Sequence, residues 1–158
     1  MIDKLKIHTI EDKEEKQIIV RAVLESLPEW FGIQDAIDKY VTDSAEQITV
    51  AAFDERKPIG FVCLKETGKA TVELCVMGVL KEYHRQGIGN RMFEETKNIA
   101  VLKGYSFIQV KTVRTGKYRE YDDTNKFYLR LGFKEFEVFP ELWGEENPCQ
   151  IYIMYIGE

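Results

Sequence analysis

Paired cysteines are missing from this sequence. Cys63, Cys75 and Cys149 are odd in number, and none has the short paired spacing of a zinc site. Cys63 and Cys75 stand in apolar, strand-like runs, where a free thiol behaves as a small hydrophobe. No metal site is expected. Long hydrophobic runs are missing too: no stretch of about twenty apolar residues exists to span a membrane. Met1-Ile2-Asp3-Lys4-Leu5-Lys6 lacks the apolar core of a signal peptide. The expectation is a cytoplasmic protein with reduced thiols. A basic excess is absent as well. Lys and Arg number 22 against 27 Asp and Glu, giving a net charge of −5 and a pI of about 5.2. Such a balance does not neutralise phosphate backbones, which argues against nucleic acid as a partner. It serves solubility, or it favours a cationic substrate. Internal repeats, low-complexity stretches and Pro/Ser-rich linkers are not found. A chain of 158 residues then suits one compact domain.

What is present is a globular pattern with nine Phe, eight Tyr and two Trp for a core. Leu5 to His8 reads as a short strand. Glu11 to Leu27 reads as a helix, with Ile19, Val23 and Leu27 four apart and Pro28 ending it. A second helix is expected near Gln34 to Val41. Ile48 to Phe53 and Ile59 to Leu64 are strand-like runs joined by a hairpin loop from Asp54 to Pro58. Thr71 to Val79 alternates, with Val72, Leu74 and Val76 on one face and Thr71, Glu73 and Cys75 on the other. Ile88, Met92, Ile99 and Leu102 give a helical stripe stopped by Lys103-Gly104. Phe107 to Val113 is another strand, followed by a polar, basic and aromatic loop from Arg114 to Asp123. Thr124 to Leu131 reads as a short helix closed by Gly132. Phe136 to Phe139 and Ile151 to Ile156 are the last strands. Hairpins first and alternating helices later imply a mixed α/β sheet.

The most informative stretch is His84-Arg85-Gln86-Gly87-Ile88-Gly89-Asn90, after a strand and opening a helix. Gly87 and Gly89 let a ligand come close to backbone N–H groups that are unpaired at the helix start, where the macrodipole also favours an anion. Arg85 adds a charge-assisted donor. The alternative is a tight connection that binds nothing. A Rossmann fingerprint is excluded because its third glycine falls at Met92, and a P-loop because no Gly-Lys-Ser/Thr follows.

Together with Phe127-Tyr128-Leu129-Arg130-Leu131-Gly132-Phe133, this stretch resembles the GNAT acetyltransferase superfamily. The family has Arg/Gln-x-x-Gly-x-Gly/Ala in the turn and Phe-Tyr-x-x-Leu-Gly-Phe downstream. The two blocks stand in the family's order and spacing, and the resemblance covers residues 5 to 156. His84 departs from the usual Arg or Gln. Tyr121 stands where the family often has Asn, and Thr124 where it often has Ala. The implied fold is a mixed, mostly antiparallel sheet of six to seven strands, flanked by about four helices, with splayed central strands. The implied activity is acetyl transfer from acetyl-CoA to a primary amine, with no nucleic acid, no membrane and a possible homodimer through the last strands.

The resemblance also implies roles. His84, Arg85, Gln86, Gly87, Ile88, Gly89 and Asn90 would bind the pyrophosphate. Backbone groups of Met77 and Val79 would hold pantetheine, with the Met77 amide aimed at the thioester oxygen and a bulge at Gly78. Glu73 would be general base, although four residues of strand put it roughly 13 Å from Met77. Its alternative is a carboxylate paired with a lysine. Tyr128 would be general acid, or a core tyrosine beside Phe127. Trp30, Phe31, Tyr118, Tyr121 and Trp143 are nominated for the acceptor amine; Trp30 and Trp143 also read as hydrophobic plugs. His8 is read as structural. Protein acetylation, an acyl-CoA-binding module without turnover and a nucleotide-binding protein are the rival readings.

Overall fold

A computed structural model describes residues 4–157; the first three residues of the Met1–Lys6 stretch lie outside them. Seven strands hydrogen-bond in the order β1-β2-β3-β4-β5-β7-β6 among the described residues. They are β1 (Leu5–Ile10), β2 (Ile48–Asp54), β3 (Lys57–Gly68), β4 (Thr71–Val79), β5 (Phe107–Val113), β6 (Lys134–Phe139) and β7 (Cys149–Tyr155). The helices are α1 (Lys13–Glu25), α2 (Gln34–Ser44), α3 (Ile88–Leu102) and α4 (Arg119–Leu131). The chain divides into two compact units, residues 1–65 with 75–99, and residues 66–74 with 100–158.

In the first unit, β1, β2 and β3 run antiparallel in sequence order. Helix α1 starts where Asp12 Oδ2 accepts from the Glu15 amide at 2.8 Å, and Glu14 and Glu15 complement the helix dipole. It buries Ile19, Val20, Val23 and Leu24, and α2 buries Ile37 and Val41. The hairpin loop is tighter than the sequence suggested. Asp54 pairs with Lys57, so only Glu55 and Arg56 turn, with Glu55 at φ 57°, and Pro58 pairs with Phe53 beside a register shift. A two-residue turn with left-handed φ matches the twist of the flanking strands. β3 is buried from Ile59 through Leu64, as expected of a strand covered on both faces.

Helix α3 has the expected bounds but a different buried face. Ile88, Met92, Phe93, Thr96 and Ala100 are buried, whereas Leu102 is 86% exposed. At about 100° per residue, Leu102 lies roughly 120° from Thr96, off the buried arc. The Thr96 hydroxyl donates to the Met92 carbonyl at 2.7 Å, which lets a polar residue sit at the centre of that arc.

In the second unit, β4 and β5 pair in parallel over only three positions, Thr71–Glu73 against Phe107–Gln109. β5 pairs antiparallel with β7 along its whole length, from Phe107 opposite Tyr155 to Val113 opposite Cys149, and β6 adds to the far edge of β7. Helix α4 begins at Arg119, five residues before the expected Thr124. Asp122 Oδ1 accepts from the Gly116 amide at 2.7 Å and from the Thr115 hydroxyl at 3.0 Å. These bonds fold the polar loop onto the first turn and nucleate it. Gly132, at φ 109°, closes the helix with its amide on the Leu129 carbonyl. No helix among the described residues is long and apolar enough to cross a membrane.

Candidate functional site

In the first unit, the end of β4 is tied down before the glycine turn begins. The Leu80 amide donates to the Ile59 carbonyl at 2.8 Å. A single 3₁₀ turn, Lys81–Tyr83, follows, and the Tyr83 hydroxyl donates to Asp54 at 2.8 Å. That bond, with burial and the charge of Asp54 adding to it, raises the Tyr83 phenol above its ordinary pKa. Arg85 then takes φ 63° and Gly87 φ 78°. A Cβ at Gly87 would meet nothing within 4 Å, so the space above its backbone is open. The first helical bond of α3 runs from the Arg91 amide to the Gly87 carbonyl at 3.1 Å. The amides of Ile88, Gly89 and Asn90 precede it and are helix-start donors without an i−4 partner. Ile88 is buried and anchors the turn, while His84, Arg85, Gln86, Gly87 and Asn90 are exposed. The result is a concentration of N–H dipoles facing solvent, the physical requirement for holding a phosphate.

His84 does not extend outward. Its Nε2 lies 2.7 Å from the Val79 carbonyl, and its ring meets Trp30 edge-on with centroids 5.8 Å apart. Glu29, next to Trp30, forms an ion pair with Lys81. The Lys81 bond, then a backbone bond at Glu29 itself, hold the Glu29 carboxyl below its ordinary range. The structure thus brings Trp30, Val79 and His84 together. Phe31 turns instead to Tyr40, at 6.0 Å and 89°. Met77 and Val79 are both half-buried in β4. Gly78 has no left-handed φ; the space a Cβ would take there is filled by Leu27 and Val23, each 3.1 Å away.

In the second unit, Glu73 is 7% exposed and its Oε1 accepts from Lys111 Nζ at 3.2 Å. Tyr128 is also 7% exposed. Its ring packs against Phe127, Phe133 and Tyr152 with centroids 5.6, 5.7 and 6.1 Å away. Tyr118 and Tyr121 pair edge-on at 5.9 Å, and burial, then Glu120 and Tyr118, raise the Tyr121 phenol. Trp143 lies in the loop between β6 and β7 and is 45% exposed.

Sequence reasoning passed over Asn125. It is buried, and its Nδ2 donates to the carbonyls of Val113 at 2.9 Å and Tyr121 at 2.6 Å, while its Oδ1 accepts from the Tyr152 hydroxyl. This carboxamide joins α4 to β5 and β7 one turn before Tyr128. The signal available was an uncharged polar residue three positions from Tyr128, on the same helix face. Among the described residues, no group of His, Cys, Asp and Glu is arranged to hold a metal ion.

A family described as Acetyltransferase (GNAT) domain matches residues 44–135. No curated protein sequence matches the chain. A candidate GNAT-family acetyltransferase from Desulfovibrio desulfuricans superposes with a TM-score of 0.82 at 20% identity, covering 96% of this chain and 99% of that one. An aminoglycoside 6'-N-acetyltransferase complexed with coenzyme A gives 0.73 at 21%, covering 96% and 97%. A candidate acetyltransferase from Salmonella typhimurium, solved with its cofactor acetyl-CoA, gives 0.74 at 12%, covering 99% and 96%. At such identities the superpositions establish the fold, and the family match carries the activity. The chain belongs to the GNAT N-acetyltransferases, enzymes that use acetyl-CoA as donor.

Proposed function

We propose that residues 1–158 form one N-acetyltransferase domain that moves the acetyl group of acetyl-CoA directly to a primary amine of a small cationic molecule. The observation that carries this reading is the turn from His84 to Asn90, with open space at Gly87 and the helix-start amides of Ile88, Gly89 and Asn90 beside exposed Arg85 and Gln86. Those groups are assigned to the pyrophosphate. The backbone of Met77 and Val79 is assigned to pantetheine, and the Met77 amide to the developing oxyanion.

Attack of the amine nitrogen on the thioester carbon breaks the C–S bond and leaves a thiolate that needs a proton. Tyr128 is assigned to supply it. A phenol near pKa 10 is a weaker acid than a thiol near 8.5, so the transfer belongs late in the step, as charge builds on sulfur. The amine must also lose a proton. Glu73 is assigned to take it through water, because Lys111 already occupies its carboxylate and Met77 is about 13 Å along the strand. Trp30, Tyr118, Tyr121 and Trp143 remain assigned to the acceptor, where aromatic faces suit a cation. Phe31 is weaker in that role, since its ring faces Tyr40. The net charge of −5 supports a cationic acceptor.

The test is release of the CoA thiol from acetyl-CoA with a panel of polyamines, aminoglycosides, amino acids and lysine peptides. Turnover on a small cationic amine is expected. Tyr128→Phe should lower kcat on the order of 10²-fold, and Glu73→Gln should lower it less. Turnover on peptides alone would make the chain a protein acetyltransferase. CoA binding with no turnover on any amine would make it an acyl-CoA-binding module.

A further inference from the structure

His84 occupies a position where the family usually carries Arg or Gln, yet its ring is turned back toward the strand. A carbonyl oxygen only accepts, so the contact with Val79 at 2.7 Å requires the proton on Nε2. The other edge of the ring neighbourhood is Trp30, edge-on at 5.8 Å. Trp30 sits in a short turn fixed by its own amide and that of Phe31, both donating to the Leu27 carbonyl, at 3.1 and 2.9 Å. Leu27 itself packs where a Cβ of Gly78 would lie, and Glu29 pairs with Lys81. All these residues belong to the first unit. The connection from Leu27 to Ile33 is therefore fastened at three points to the stretch from Gly78 to His84, and His84 is the one that belongs to the glycine turn.

We propose that His84 is a positioning residue that links cofactor binding at the turn to Trp30. The inference rests on the assignment of the turn and of the Val79 backbone to CoA. The Val79 carbonyl has two lone pairs. One is taken by His84, which fixes the direction of the other toward an incoming pantetheine amide. When that second bond forms, the His84 bond shares its acceptor and the ring adjusts against Trp30. The side of the acceptor region carrying Trp30 then responds to the donor before any amine arrives.

The experiment uses Trp143→Phe protein, in which Trp30 is the only tryptophan. Coenzyme A is titrated by calorimetry and by Trp emission in parallel. Saturating CoA should change Trp30 emission. In the added His84→Ala variant CoA should still bind, about three- to tenfold more weakly, with the emission change lost. His84→Gln, whose carboxamide donates to the same carbonyl without a ring, should recover the affinity but not the emission change. CoA binding with unchanged Trp30 emission, or an emission change that survives His84→Ala, overturns the proposal. Failure of His84→Gln to regain affinity overturns its hydrogen-bond part. Absence of CoA binding in the native chain instead overturns the functional assignment beneath it.

Discussion

Cys63 has no exposed surface, and its thiol lies 3.5 Å from the Thr49 hydroxyl. Burial pushes its thiol from 9.0 up to about 11, because a thiolate there would lose its hydration. The folded pKa lies above the unfolded one, so the folded chain holds this proton more tightly. The associated stability is present below pH 9 and is lost as pH rises from about 9 to 11. The loss is on the order of 2 kcal/mol. Urea melts of native and Cys63→Ala protein between pH 7 and 11 should therefore converge above pH 9. Curves that stay parallel would rule the effect out. Its neighbours along the chain had already placed this thiol in an apolar run. Glu73 was harder to read, since one sequence permits both a base and a lysine partner. The structure supplies Lys111, 38 positions away, a pairing that depends on which strands lie side by side. Asn125 was illegible for the same reason: its three partners come from Val113, Tyr121 and Tyr152, and only the folded sheet assembles them.

Local pattern sufficed for most elements, because a buried strand or an amphipathic helix writes its period into neighbouring residues. β4 and β5 have the bounds that alternation and β-branched runs suggest. Where reading failed, a non-local or side-chain bond had decided the outcome. Asp122 nucleates α4 early, and Thr96, satisfied by its own helix, centres a buried face that apolar counting missed. At Gly78 the missing side chain makes room for α1 to pack on β4. Gly78→Ala would place a methyl 3.1 Å from side-chain atoms of Leu27 and Val23, of which the Leu27 end can give by a few tenths of an ångström. Gly60→Ala would place one 3.0 Å from the Gly78 carbonyl oxygen, which cannot move without moving β4. Overpacking costs about 1 to 3 kcal/mol. Gly60→Ala should fall at the upper end and Gly78→Ala at the lower, read as the drop in urea midpoint at constant m-value. Equal midpoints would show that the strand backbone yields as readily as a leucine side chain. The family blocks were legible for a different reason: the turn at Gly87 requires a residue tolerant of φ 78° beside open space, so its chemistry is written locally.

For the molecule as a whole, a ligand that binds only the folded chain must raise its stability by mass action. At about a hundred times the dissociation constant the gain is about 2.7 kcal/mol. For a chain of this size that corresponds to a rise in the unfolding midpoint of about 5 to 11 °C. The prediction is selective. Acetyl-CoA and CoA should each produce the rise, while NAD and ATP at matched concentrations should not. All four carry phosphates that could visit the amides after Gly87, but only the CoA pair adds a pantetheine arm for the β4 backbone. A rise with all four would mean that the turn recognises phosphate without the arm, favouring a nucleotide-binding protein. A rise with none would leave the open turn as a connection between β4 and α3, and would remove the basis for assigning acetyl transfer to these residues.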